Sequence, residues 1–310
     1  MLATHLRSTA LALLTLAVAG CATPQTDALI KAPGTLPLRA TVSDVPFFPQ
    51  ENLYCGPAAL ATVLNWSGVS TDPETVAAHI YTPGRQGTLQ NDILAGARRA
   101  GRLAVPVSSL RDLMGEIAAG HPVLVFQNLS FDWYPQWHYA VAVAYDLKRN
   151  QITLRSGRDA QRMTALNTFE RTWQRGGDWA VVILRPDDLP ENAKPDAISR
   201  ATAGLERAGR MQEAAAAYSA MLSRWPDNYG ALMGLGNVQY KMGDLRSSET
   251  AFRRAITTQP DRAEAWNNLA YVLAAEGRRE EAIRAAQKAV GLSNDTDGPY
   301  HDTLRDLSKI

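Results

Sequence analysis

Val45-Pro46-Phe47-Phe48-Pro49-Gln50-Glu51-Asn52-Leu53-Tyr54-Cys55-Gly56-Pro57-Ala58-Ala59-Leu60 sets a lone cysteine directly before Gly-Pro, at the head of an apolar helical pattern. Proline suits the first turn of a helix, because its missing N–H would have no partner there. The pattern predicts a helix over 57–67 with Ala58, Leu60, Ala61, Val63 and Leu64 as apolar positions. Cys55 then stands at a helix N-terminus, where the dipole favours thiolate and is expected to lower the thiol pKa. Gln50 lies five residues upstream on the incoming loop. Its amide can donate to an oxyanion formed beside the sulfur, with the Cys55 backbone N–H as second donor.

Such a site needs a base. His138 stands at the mouth of an apolar strand pattern over 139–145, after a loop rich in aromatics: Phe131, Trp133, Tyr134 and Trp137. Those rings form either the wall of a substrate cleft or core packing. His121, before Pro122, reads as a turn residue, and His79 as a residue on a helix face. Further helices are expected over 72–80, opening on Thr71-Asp72-Pro73, and over 89–100. Short apolar runs over 122–127, 151–155 and 179–184 suit strands. Helices first and a sheet afterwards give an α+β domain over 41–186.

Three segments together carry a resemblance. Gln50-x4-Cys55-Gly56-Pro57-Ala58-Ala59-Leu60 is followed by Gly120-His121-Pro122-Val123-Leu124-Val125 and then His138-Tyr139-Ala140-Val141-Ala142-Val143. Over about residues 41–185 the chain resembles the bacteriocin-processing, double-glycine-leader cysteine peptidases, which are papain-like in fold. The resemblance implies Cys55 as nucleophile, His138 as general base and acid, and Gln50 as oxyanion-hole donor. It also implies a peptide or protein substrate and no cofactor. The family places an Asp-Pro pair on the strand after the histidine to orient its ring. Here that hairpin ends Ile152-Thr153-Leu154-Arg155-Ser156-Gly157, with Ser156 in place of Asp. A serine can accept from Nδ1–H but lacks the charge that stabilises imidazolium. Asp159, on the following loop, is a second substitute, so the third member is left open between the two. Asp146 ends the preceding strand, too far along the chain to reach His138.

The second cysteine belongs to a different device. Residues 1–20 hold a short apolar run from Ala10 to Ala19 that ends at Gly20-Cys21. The run is too short to span a bilayer core of about 30 Å. Small residues before Cys21 resemble a lipobox, which predicts a signal peptide over 1–20 and lipid on Cys21 that anchors the chain to a membrane. Ala22 in the next position favours, by analogy with enteric lipoproteins, the outer membrane facing the periplasm. Residues 21–40, with three prolines, are expected to be an extended tether.

A linker is expected over 187–195, followed by an Ala-, Arg- and Glu-rich tail over 196–310 that repeats. Gly209, Gly243 and Gly277 recur every 34 residues, as do Pro226 and Pro260. Leu232, Leu235, Gly236, Ser248, Phe252 and Ala255 take the large and small positions of one unit; Trp266, Leu269, Ala270, Ala282, Ala286 and Ala289 take those of the next. Ala214 and Tyr218 mark an earlier unit. The period and the small positions resemble tetratricopeptide repeats, about three of them, an all-α solenoid that implies a protein partner.

A net charge of +1 over 310 residues, with no Lys- or Arg-rich run, gives no pull toward nucleic acid. One free thiol and scattered histidines in the mature chain leave no metal-ligand spacing. The expected function is an envelope-anchored thiol peptidase whose repeats recruit a partner or substrate. The alternative is a non-catalytic peptide-binding or scaffold lipoprotein that keeps the peptidase fold.

Overall fold

A computed structural model describes residues 22–50, 54–85, 87–293 and 297–309. The signal segment over 1–20 and Cys21 lie outside these described residues. The chain forms two compact units: one runs up to Ile93 and resumes over Pro106–Ile183, the other joins Leu94–Val105 to Leu184–Ile310.

The first unit is organised by its longest strand. In chain order the strands are β1 (Arg39–Thr41), β2 (Leu103–Val107), β3 (Val123–Asn128), β4 (Trp137–Asp146), β5 (Gln151–Ser156), β6 (Asp159–Ala165) and β7 (Ala180–Leu184), in the sheet order β2-β7-β3-β4-β5-β6. The first half of β4 pairs with β3, with Gln127 opposite His138 and Phe126 opposite Tyr139. Its far end pairs with β1 from Ala144 to Asp146. His138 therefore sits one residue inside the start of β4, with its backbone held by the neighbouring strand. Strand β7 reads Ala-Val-Val-Ile-Leu and is buried at every position, so it shows no period-2 alternation.

The helices up to residue 183 are α1 (Pro24–Lys31), α2 (Cys55–Trp66), α3 (Pro73–Ile80), α4 (Gln90–Arg99), α5 (Leu110–Ala118) and α6 (Leu166–Arg175), of which α4 from Leu94 onward belongs to the second unit. Helix α2 is buried continuously from Gly56 to Leu64 and packs on β4 and α3. Helix α3 opens as its sequence predicts: Pro73 occupies the first turn, and the Asp72 carboxylate accepts the Thr75 N–H at 2.8 Å.

Residues expected as an extended tether are corrected by α1. The buried carboxylate of Glu170 on α6 accepts the backbone N–H groups of Gln25 at 3.0 Å and Thr26 at 2.7 Å. Those are orphan donors of the first helical turn, so a fixed negative charge there stabilises the helix. Gln25 Oε1 in turn accepts the Leu110 N–H, and the Arg111 guanidinium donates to the carbonyls of Ala32 and Pro33. The apolar contribution is Leu29, fully buried. Composition alone misled because every one of these partners lies far away in sequence. His121 is likewise no simple turn residue: it is buried, with Nδ1 2.8 Å from Glu116 Oε2.

In the second unit the helices are α7 (Pro195–Arg207), α8 (Met211–Arg224), α9 (Tyr229–Lys241), α10 (Leu245–Thr258), α11 (Ala263–Ala275), α12 (Arg279–Leu292) and α13 (Pro299–Lys309). Gly209, Gly243 and Gly277 each carry a positive φ, between +75° and +82°, just past the ends of α7, α9 and α11. Only a residue without Cβ takes that conformation without strain, which is why the period shows in glycine. Small residues mark the helix crossing: a Cβ on Gly236 would lie 2.6 Å from the Phe252 ring. At the same crossing Ser248 Oγ donates to the Gly236 carbonyl at 2.8 Å. In the segment over 187–195, expected as a linker, the carbonyls of Pro190 and Glu191 accept from the Arg224 guanidinium.

Candidate active site

Cys55 is the first residue of α2, and Gly56 explains the motif that follows it. A Cβ there would come within 2.6 Å of Thr88 Cβ, so only glycine lets the first turn seat against Thr88. The thiol is half-buried. It lies within bonding reach of three backbone N–H groups, those of Tyr139, Gly56 and Cys55 itself. These donors favour thiolate, but burial opposes it and wins, pushing the thiol pKa up. The lowering expected from the helix dipole is therefore overturned, because the same packing that builds the helix start strips water from the sulfur.

The Tyr139 N–H is the peptide next to His138, so β4 brings the histidine alongside the start of α2. The His138 ring is half-buried, and Nε2 lies 2.9 Å from Ser156 Oγ. Ser156 is the last residue of β5, only 3% exposed. The sequence expectation had Ser156 facing Nδ1; the structure puts it on Nε2 and leaves the Nδ1 edge for another partner. Burial first, and the charge of Arg162 second, hold the imidazole pKa down from 6.5 to about 4. Burial thus holds both the thiol and the imidazole toward their neutral forms.

Gln50 belongs to the same corner. Its N–H donates to the Gly157 carbonyl at 2.9 Å, one residue past Ser156, which ties the incoming loop to the β5–β6 turn. Its side-chain Oε1 is buried without a hydrogen-bond partner. Asp159 is different. It opens β6 rather than sitting in a loop, it is exposed, and its carboxylate accepts the Gln161 N–H at 2.8 Å. Ser156 meets the ring; Asp159 does not. Asp146 is engaged elsewhere, in an ion pair with Arg39.

Sequence reasoning missed Arg162 and Thr88. Arg162 comes near His138 only because β6 folds back on β5, and nothing in the polar run Asp159-Ala160-Gln161-Arg162 announces a strand. Thr88 carried one faint signal, its place just after Gly87 and before an expected helix. Among the described residues no cluster of His, Cys, Asp or Glu could hold a metal ion. No helix among them is long and apolar enough to cross a membrane.

Residues 42–181 match the sequence profile of the Peptidase_C39 like family. Residues 204–244 and 233–299 match that of the tetratricopeptide repeat. A solved protein assigned as a C39-like peptidase, from Bacillus anthracis, is 19% identical with a TM-score of 0.42, over 47% of this chain and 97% of that one. An O-GlcNAc transferase from Thermobaculum terrenum is 28% identical with a TM-score of 0.34, over 37% of this chain and 23% of its own. The human tetratricopeptide repeat protein 13 is 36% identical over 89 residues, which are 27% of this chain; the chain spans only 10% of that relative's length. The region over 42–181, which carries Cys55 and His138, thus matches the Peptidase_C39 like family, and tetratricopeptide repeats follow it.

Proposed function

We propose that the first unit hydrolyses peptide bonds through Cys55. The observations that carry this reading are the bond between His138 Nε2 and Ser156 Oγ and the N–H of the next residue, Tyr139, reaching a thiol at a helix N-terminus. With the ring proton on Nε2 donated to Ser156, Nδ1 is free to act as a base toward the thiol. The Cys55 sulfur attacks the substrate carbonyl carbon while its proton passes to Nδ1. The Cys55 N–H and the Gln50 amide hold the oxyanion. The C–N bond then breaks, and His138 returns the proton to the leaving amine. Water attacks the thioester, again giving a proton to His138, and the acid leaves as the thiol re-forms. With both groups held toward their neutral forms, His138 works as a general base rather than as half of a standing ion pair.

Lipid on Cys21 anchors the chain in the envelope, at the outer membrane facing the periplasm, and the repeats recruit a protein partner or substrate there. A second reading, a peptide-binding module without turnover, is favoured by the raised thiol and by Ser156 in place of a carboxylate.

Comparative envelope proteomics separates the two. New peptide termini should appear in wild type and vanish in Cys55→Ala and in His138→Ala, because nucleophile and base act as a unit. Gln50→Ala should retain activity reduced by about 10²–10³ in kcat. Identical termini in wild type and Cys55→Ala would leave the binding module. In the same samples Cys21→Ser should move the chain out of the detergent phase; an unchanged partition would refute the anchor.

A further inference from the structure

A cluster of exposed aromatic rings lies on the loop that leads into His138. Trp133 is 81% exposed, Phe131 63%, Tyr134 62% and Trp137 55%. Phe131 and Trp133 stack at 5.6 Å, with Tyr134 against Trp133 at 6.1 Å. Trp137 stacks on Phe126 at 5.3 Å. Rings left in water on this scale mark a contact surface rather than chance.

The loop is also pre-formed. Asn128, 1% exposed, accepts the N–H groups of Ser130 at 3.1 Å and Gln136 at 2.9 Å through its side-chain oxygen. The Leu129 N–H donates to Gln136 O at 2.9 Å, and the Tyr134 N–H to Phe131 O at 3.1 Å. The loop backbone is therefore set before anything binds, which lowers the ordering cost of binding.

We propose that residues 129–137 are the recognition element of the site and take a large apolar side chain, aromatic or leucine-like, from the peptide being cleaved. Two observations choose this occupant. The patch runs toward the candidate nucleophile, since Trp137 stacks on Phe126, Phe126 packs on Tyr139 at 4.6 Å, and the Tyr139 N–H reaches the Cys55 thiol. Across 129–137 the one charged residue is Asp132, with no Lys or Arg, so nothing draws the loop to an anionic lipid surface or to nucleic acid. The identity of the occupant as substrate rests on the hydrolytic reading; the binding itself does not.

The test therefore reads binding apart from turnover. Two labelled octapeptides, an alanine–serine host with one central Phe or with Ser in its place, are titrated by anisotropy into the full chain carrying Cys55→Ala. Burial of one large apolar side chain is worth about 1.5–3 kcal/mol, so the Phe peptide should bind at least about tenfold tighter. Adding Phe131→Ser with Trp133→Ser, or separately Trp137→Ala, should erase that preference while the melting temperature stays near its parent value. In chains with Cys55 intact, the loop substitutions should raise KM for the Phe peptide more than they lower kcat. Equal binding of the two peptides, or a preference that survives the substitutions, overturns the proposal. So does loop-dependent sedimentation of the chain with phosphatidylcholine vesicles in place of peptide discrimination. A preserved preference with no hydrolysis by wild type refutes the peptidase reading alone.

Discussion

Ser156→Asp restores a carboxylate at the one position that meets the candidate base, and its effect can be worked from the site. In the native chain burial and Arg162 hold His138 at about 4, against 6.5 for a free imidazole. The unfolded chain therefore takes up the proton first as pH falls. The native state's advantage is complete above pH 6.5 and is lost as the pH falls from 6.5 toward 4. At 1.36 kcal/mol per pH unit, that window removes about 3 kcal/mol of stability. A carboxylate in contact with the ring raises an imidazole pKa by roughly 1–3 units, to about 5–7 here. The acid loss should then shrink to about 2 kcal/mol or less, and the hydrolytic rate at neutral pH should rise as the base strengthens. Ser156→Ala should do the reverse to catalysis. It leaves a buried ring nitrogen unpaired at a cost of about 1–3 kcal/mol, or roughly 10–100-fold in kcat if the cost falls on the transition state. The assay is the His138 ring carbon shift followed by NMR against pH, with thermal unfolding at pH 4, 5, 6 and 7 beside it. A native His138 that titrates at or above 6.5, or one that Ser156→Asp leaves unmoved, would refute the assignment of Ser156 as its orienting partner.

Glu170→Gln should destabilise the first unit by about 1–3 kcal/mol, the cost of losing charge-assisted acceptance by a buried carboxylate. Amide exchange should speed at Gln25 and Thr26 before it does elsewhere; unchanged exchange there would show that α1 does not depend on this clamp. Gly236→Ala should cost about 1–3 kcal/mol by forcing Phe252 away from α9. Chemical denaturation of the repeats should show it, whereas Gly291→Ala, where a Cβ would meet nothing within 4 Å, should be neutral or mildly stabilising.

What could be read from the residues alone was whatever depends on neighbours in sequence. Pro57 behind Cys55 announced a helix start, Asp72-Pro73 announced another, and the glycines at 209, 243 and 277 announced turns that no other residue fits well. Cys55 and His138 stood out as candidates for a related reason: each stands at the end of an element with a strong apolar pattern, and such patterns mark which residue begins a strand or a helix.

Contacts across the fold decided the remainder. Glu170 and Gln25 are 145 positions apart, so a proline-rich segment that composition marks as a tether becomes a docked helix. Ser156 and Asp159 differ by three residues, and local pattern does not say which one faces the ring. In the folded hairpin Ser156 is buried against the ring, whereas Asp159 stays exposed and accepts the Gln161 N–H. The charge state of the site belongs to tertiary structure most completely. A helix N-terminus favours thiolate, and that much follows from sequence. Burial is a sum over everything packed around the sulfur and the imidazole, and here it pushes the thiol pKa up and the imidazole pKa down.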